Sequence, residues 1–221
     1  MTNPSCLRDL EVLGLDFESY YDSSSYSLRR QDMSTSLYVR DERFKVHTVG
    51  LRMPRWRKAR WYKGKAIERE LSQIDWSGTA LLAHHTHFDG LILTHHYGHV
   101  PRFWLDTLSM ARALHGNEID ASLDTVARFY NEGNKLPDVL GKLDGVRDPS
   151  IALLKELGQY NAVDVDIMWR VFWRMIGNGY PKEELRLIDL TVALFTEPVL
   201  WVDRDLAEAE RVKWRERKHN I

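Results

Sequence analysis

The stretch that decides the fold reads Val12-Leu13-Gly14-Leu15-Asp16-Phe17-Glu18. Its apolar first half is typical of a buried β-strand. Strand residues two apart point to the same face, so Asp16 and Glu18 project together. Two buried carboxylates repel each other, and burying unpaired charge costs several kcal/mol. The stretch therefore predicts a central strand that ends in a candidate metal site.

Three further residues extend this candidate site. Asp89 follows Phe88 at the start of a helical pattern, and Tyr160 and Asp164 lie four residues apart in a later helix. Helix residues at that spacing share a face. Oxygen ligands suit hard cations such as Mg²⁺ or Mn²⁺. Two such ions about 3.5–4 Å apart would support phosphodiester hydrolysis.

Apolar periodicity predicts an α/β domain with a mixed five-stranded sheet flanked by helices. The predicted strands cover residues 10–17, 44–53, 59–64, 80–83 and 103–106. The predicted helices cover residues 66–73, 89–97, 107–114, 122–130 and 151–175, and residues 19–41 form a loop with a short helix. Two more helices, 182–195 and 203–217, form a C-terminal extension. Asp106 is predicted to cap a helix or to contact the metal-binding carboxylates without binding the metal itself.

Composition sets few limits on function. The chain has 221 residues and a formal net charge of −1, which neither demands nor excludes a nucleic acid partner. The sequence shows neither an apolar run long enough to cross a membrane nor a signal-peptide pattern, so we expect a cytoplasmic protein without a membrane partner. Cys6 is the one cysteine and is expected to be a reduced thiol.

A basic stretch runs from Arg52 to Lys65, with seven Lys and Arg residues and no acid. Trp56, Trp61 and Tyr62 are interleaved with these charges. Such a mixture can hold phosphates while aromatic rings stack on bases. It is equally typical of a solvated hairpin with inward-facing rings. In the first interpretation, Arg55, Arg57 and Lys58 contact the substrate strand.

The acidic motifs resemble those of a known family. Asp16-Phe17-Glu18, Phe88-Asp89 and Tyr160-x-x-x-Asp164 are similar to the three exonuclease motifs of the DEDD superfamily. Tyrosine in the third motif resembles the DEDDy branch. Residues 15–22, 84–93, 104–112 and 188–200 resemble the N-terminal exonuclease region of bacteriophage family A-type DNA polymerases. The resemblance covers nearly the whole chain.

This resemblance implies a ribonuclease-H-like exonuclease domain over residues 1–181. Residues 182–221 would extend as helices towards a polymerase part or partner. By the same resemblance, Asp16, Glu18 and Asp164 hold the first of two Mg²⁺ or Mn²⁺ ions.

The resemblance also implies roles for individual side chains. Asp16 and Asp89 serve the second ion, and Tyr160 orients the attacking water. Phe17, Phe88 and His85 would contact the substrate. Many family members have asparagine where this chain has His85.

The implied activity is 3′→5′ hydrolysis at single-stranded or frayed DNA 3′ ends, as in proofreading beside a separate DNA polymerase. A phage-encoded chain would act in the host cytoplasm. Two alternatives remain open. One is an RNA-directed 3′→5′ exonuclease of the same superfamily, and the other is an inactive replisome module that only binds nucleic acid.

Overall fold

A five-stranded mixed sheet forms the centre of the molecule in the computed structural model, which describes residues 4–133, 136–137, 139–199 and 202–219. The strands are β1 (Glu11–Ser19), β2 (Val46–Arg52), β3 (Arg60–Tyr62), β4 (Thr79–Ala83) and β5 (Phe103–Asp106). Their order across the sheet is β3-β2-β1-β4-β5. Strand β1 pairs antiparallel with β2 and parallel with β4, and β4 pairs parallel with β5.

Eight α-helices of the described chain surround the sheet. They are α1 (Thr35–Arg40), α2 (Lys65–Leu71), α3 (Thr86–Tyr97), α4 (Thr107–His115), α5 (Leu123–Phe129), α6 (Ile151–Gly177), α7 (Glu184–Thr196) and α8 (Arg204–His219). None of these helices is both long and apolar enough to cross a bilayer.

Helix α6 lies close against β1 and β2 because glycine occupies the contact points. A Cβ atom on Gly50 would lie 2.2 Å from Asn161 Oδ1 and 2.8 Å from Val165, and one on Gly14 would lie 3.2 Å from Val165. Real Cβ atoms essentially never approach other atoms to 2.2 Å. The glycines therefore set the distance between α6 and the sheet face that carries Asp16 and Glu18.

Helix α3 covers the opposite face. The Phe17 ring stacks on Tyr97 of α3 at a centroid distance of 5.6 Å, while Asp16 faces α6. Helix α7 packs on α3 and β5. It buries Leu185, Ile188 and Val192.

The ribonuclease-H-like fold predicted from the sequence is confirmed. All five strands and the short helix between residues 19 and 41 are present where the pattern placed them, and no strand end is shifted by more than two residues. Helix α6 runs continuously from Ile151 to Gly177 and passes through Gly158 without a break. Gly158 instead makes room for Trp61, since a Cβ there would lie 2.1 Å from the indole ring.

Candidate active site

The carboxyl ends of β1, β4 and β5 lie at one edge of the sheet, and most candidate residues follow them. Asp16 and Glu18 belong to the last residues of β1, Asp89 lies in the first turn of α3 after β4, and Asp106 ends β5. Side chains from separate parts of the sequence therefore meet here because parallel strands end at a common edge.

Asp89 is deeply buried, with 2% of its surface exposed. Its Oδ1 accepts a hydrogen bond from Phe17 N at 2.8 Å, which ties the first turn of α3 to β1. Burial raises the pKa of Asp89 well above its usual value, and the neighbouring carboxylate of Asp16 raises it further. The structure thus brings Asp16 and Asp89 together as an electrostatically coupled pair.

Asn161 connects this pair to helix α6. Its Nδ2 donates to Asp16 Oδ2 at 2.7 Å and to Asp16 O at 3.1 Å. Tyr160 precedes Asn161 and Asp164 follows it by about one turn, and both side chains are buried. This face of α6 is therefore fixed against the end of β1. Asn161 was not among the residues predicted from the sequence, because its role depends on a contact with Asp16 across the fold.

Asp106 supports the start of α3. Its carboxylate caps α4 by accepting from Leu108 N and Ser109 N, and its Oδ1 accepts from His85 N at 2.8 Å and Thr86 N at 3.2 Å. These bonds hold His85 in a left-handed conformation with a φ of 77°. The predicted role of Asp106 as a helix cap is confirmed. The side chain of His85 is exposed at this corner.

A cavity of about 410 Å³ opens beside Glu18. Phe17 and Phe88, which the sequence analysis assigned to the substrate, line it together with Tyr38. The Tyr38 hydroxyl donates to Tyr20 O and lies 3.0 Å from Ser19 Oγ. The cavity thus combines aromatic and polar walls next to Glu18, and hydrogen bonds of Tyr38 attach one wall to the end of β1.

The basic stretch lies elsewhere. Because β2 runs antiparallel to β1, the residues after β2 return to the start of β1, where Arg55 pairs with Glu11 at 3.5 Å. Glu11 precedes Asp16 by five strand residues, which correspond to about 17 Å. Arg57 and Lys58 are exposed. The structure does not bring Arg55, Arg57 or Lys58 to the carboxylates, so nucleic acid binding by these three residues stays a prediction.

The arrangement of the acids determines whether they can hold a metal ion. Among the described residues, no group of three or more His, Cys, Asp or Glu side chains is arranged to hold a metal ion as it stands. The donor chemistry nevertheless suits a hard cation, because a buried carboxyl lies beside a second carboxylate and both offer oxygen. The hydrogen bonds that favour ionisation of Asp89 come from backbone N–H groups of Phe17 and Asp89 itself.

Solved structures with a similar fold include three nucleases. *Brucella melitensis* NrnC with bound Mg²⁺ has a TM-score of 0.57 and 15% identity, with 89% of this chain and 86% of NrnC covered. *Trypanosoma brucei* RNase D in complex with RNA U12 has a TM-score of 0.59 and 14% identity, with coverages of 89% and 68%. *Escherichia coli* RNase D, an exoribonuclease involved in structured RNA processing, has a TM-score of 0.51 and 15% identity, with coverages of 88% and 47%.

No protein-family model matches the sequence, and no curated protein matches it either. At 14–15% identity the structural likeness establishes the fold alone. The chain therefore shares the ribonuclease-H-like architecture of these nucleases, with the buried Asp89 beside the half-buried Asp16 at the edge of its sheet.

Proposed function

We propose that this protein is a metal-dependent 3′→5′ exonuclease that hydrolyses phosphodiester bonds at nucleic acid 3′ ends. The observation that carries the proposal is the buried carboxyl of Asp89, held by Phe17 N beside Asp16. A buried carboxyl next to a second carboxyl lowers the stability of a fold, so a structural role alone does not account for it. Perturbed carboxyl groups beside a pocket are typical of a catalytic site.

Asp16, Glu18, Asp89 and Asp164 are the proposed ligands of two Mg²⁺ or Mn²⁺ ions. When bound, such ions activate a water molecule and stabilise the departing 3′ oxygen. The protein positions these ligands by hydrogen bonds: Asn161 holds Asp16, and Phe17 N holds Asp89. Tyr160 would orient the attacking water through its phenol. The cavity lined by Phe17 and Phe88 would receive the terminal nucleotide, and the exposed His85 would contact the substrate.

DNA is the proposed substrate, on the basis of the motif resemblance to phage polymerase exonuclease regions. In that setting the protein would proofread single-stranded or frayed 3′ ends beside a separate polymerase. RNA is the second candidate, because two of the structurally similar nucleases are ribonucleases. A protein distinguishes the two sugars by contacts to the 2′-hydroxyl.

The test compares matched DNA and RNA strands of about 20 nucleotides, a length that exceeds the usual footprint of a single binding module. Each strand carries a 5′ label and is incubated with Mg²⁺ or Mn²⁺. We expect stepwise shortening from the 3′ end and release of 5′-mononucleotides. The nucleic acid that is degraded faster, DNA or RNA, identifies the substrate class.

Site variants connect this activity to the acids. Asp16→Ala or Asp164→Ala should reduce cleavage by roughly 100- to 1,000-fold or more, the usual loss when transition-state charge stabilisation is removed. Tyr160→Phe should cost about tenfold, since only an orienting hydrogen bond is lost. Asp205→Ala, on the exposed α8, is the control and should leave the rate unchanged. Undiminished cleavage by Asp16→Ala, or strand binding without cleavage by the unaltered protein, would contradict the proposal.

A further inference from the structure

Three arginines surround a cavity at the end of the sheet opposite the carboxylates. The cavity has a volume of about 460 Å³, and its walls include Arg8, Arg102 and Arg186. Arg8 precedes β1, Arg102 precedes β5 and Arg186 belongs to α7. Three cations from separate parts of the chain therefore converge on one space, and all three side chains are exposed to solvent.

These arginines form few contacts with acids, although the nearby charge of Arg102 lowers the pKa of Asp189. No ion pair joins any of the three guanidinium groups to an acid within the part of the chain that the structure describes. Two acids do line the cavity, Asp9 and Asp189. Asp189 Oδ1 is already engaged, because it accepts a hydrogen bond from Trp104 N at 2.8 Å. Three guanidinium groups thus face two carboxylates, which leaves an excess of positive charge for an external anion.

The backbone around the cavity is firmly held. Arg102 N donates to Trp76 O at 2.9 Å and to Thr79 O at 3.0 Å, and the Asp189 bond fastens α7 to β5. Arginine binds phosphate through paired, charge-assisted hydrogen bonds, and a fixed backbone lowers the entropy lost on binding. The chemistry of this cavity therefore suits a phosphate group.

We propose that this cavity binds a backbone phosphate of a nucleic acid strand, upstream of the 3′ end that the carboxylates process. The inference rests on the proposed exonuclease function. It adds that the preferred substrates are long nucleic acid strands. Leu10 lines the cavity and Asp16 follows six residues later, a separation of about 20 Å along β1. A dinucleotide bound at the carboxylates would not reach the cavity, whereas a long strand would. Arg57 and Lys58 lie exposed at the same end of the sheet and would continue the basic surface.

The test measures binding and cleavage separately. Binding of a labelled strand of about 20 nucleotides is measured in chelator, between about 50 and 200 mM salt. The cavity variant is Arg8→Gln/Arg102→Gln/Arg186→Gln. The matched control, Arg69→Gln/Arg128→Gln/Arg211→Gln, removes the same charge from exposed arginines outside the cavity. Melting temperatures confirm that both proteins are folded.

We expect the salt slope of log Kd to fall by up to about 2 in the cavity variant, because each single-strand phosphate contact contributes about 0.7. The control should keep the original slope. With Mg²⁺ present, kcat/KM for the long strand should fall roughly tenfold or more in the cavity variant, while kcat/KM for a dinucleotide stays constant.

Three outcomes would overturn the inference. One is an unchanged salt slope in the cavity variant, and another is an equal loss for dinucleotide and long strand. The third is arginine-dependent binding of inorganic phosphate with an unaltered strand slope, which would assign the cavity to free phosphate. If the unaltered protein binds strands through these arginines but cleaves none, the proposed exonuclease function fails while the phosphate site stands.

Discussion

At the residue scale, Asp89 is a residue of the candidate site whose negative charge is expected to lower the stability of the fold. Its buried carboxyl lies beside Asp16, so ionisation at neutral pH is costly without a cation. We predict that Asp89→Asn raises the free energy of unfolding in chelator by roughly 1–3 kcal/mol, because the amide oxygen can still accept from Phe17 N and carries no charge. Denaturant unfolding at neutral pH measures this change.

Two comparisons make the Asp89 prediction specific. Added Mg²⁺ should stabilise the unaltered protein and leave Asp89→Asn nearly unaffected, since a ligand stabilises only the state that binds it. Asp106→Asn is the contrasting variant and should lower stability by about 1–3 kcal/mol, because both carboxylate oxygens of Asp106 accept backbone hydrogen bonds. A destabilised Asp89→Asn protein would show that this carboxyl is a structural acceptor.

His47 gives a second residue-scale prediction, on pH. Its ring is buried, and that burial lowers its pKa to about 4. The unfolded chain binds a proton near pH 6.5, so the native state should lose roughly 3 kcal/mol as pH falls from about 6.5 to about 4. His47→Phe should remove this part of the pH dependence. Chemical denaturation across that range tests it, and parallel curves for the two proteins would contradict it.

Single residues also mark where sequence reasoning reached its limit. Asp16 and Asp89 could be recognised because each follows or begins a segment with a clear apolar period. Asn161 could not be weighted in the same way, because its importance depends on the Gly50 contact that brings α6 within hydrogen-bonding distance of Asp16. Such a contact joins residues more than a hundred positions apart and has no local signature.

At the element scale, α6 depends on a close contact between Gly158 and Trp61. Gly158→Ala gains up to about 1 kcal/mol of helix propensity. Its Cβ would nevertheless lie 2.1 Å from the indole ring, and overpacking of this kind costs about 1–3 kcal/mol. We therefore predict net destabilisation. Cleavage should also slow, because Tyr160 and Asn161 follow within one turn.

A double-mutant cycle separates packing from propensity. In a Trp61→Ala background the obstructing ring is gone, so Gly158→Ala should become stabilising by up to about 1 kcal/mol. Denaturant unfolding of the four proteins gives the coupling energy. If Gly158→Ala changed the free energy of unfolding in the same direction in both backgrounds, Trp61 would not require glycine at this position.

The type and order of the helices and strands could be predicted from the sequence. Where the segments between them lie in space was harder to predict. The strands and helices follow from apolar periods of two and 3.6 residues, and these fixed their positions to within a few residues. The basic stretch shows the limit. Its charges suggested a place near the acids, but the antiparallel β1–β2 pairing carries Arg55 to Glu11 at the far end. An antiparallel hairpin was a possible reading of that sequence, and it would have indicated this location.

At the scale of the whole molecule, the two C-terminal helices differ in how they join the fold. Helix α7 buries Leu185, Ile188 and Val192, and Asp189 and Glu197 accept from the backbone and indole N–H groups of Trp104. The residues of α8 whose burial the structure describes are all exposed. The sequence analysis placed one boundary before both helices, at residue 181, and that boundary stays a prediction.

Truncation distinguishes the two helices. A chain ending at residue 202 should keep its melting temperature within about 2 °C, because loss of an exposed helix removes little buried surface. A chain ending at residue 181 should lose more than about 5 kcal/mol, since three buried aliphatic side chains each contribute about 1.5–3 kcal/mol. Calorimetry of both chains beside the full protein measures this, and Asp189→Asn in the full protein tests the Trp104 contact alone. If the shorter chain melted as cooperatively and as late as the longer one, α7 would belong with α8 as an appendage, and the ribonuclease-H-like fold would be complete without either helix.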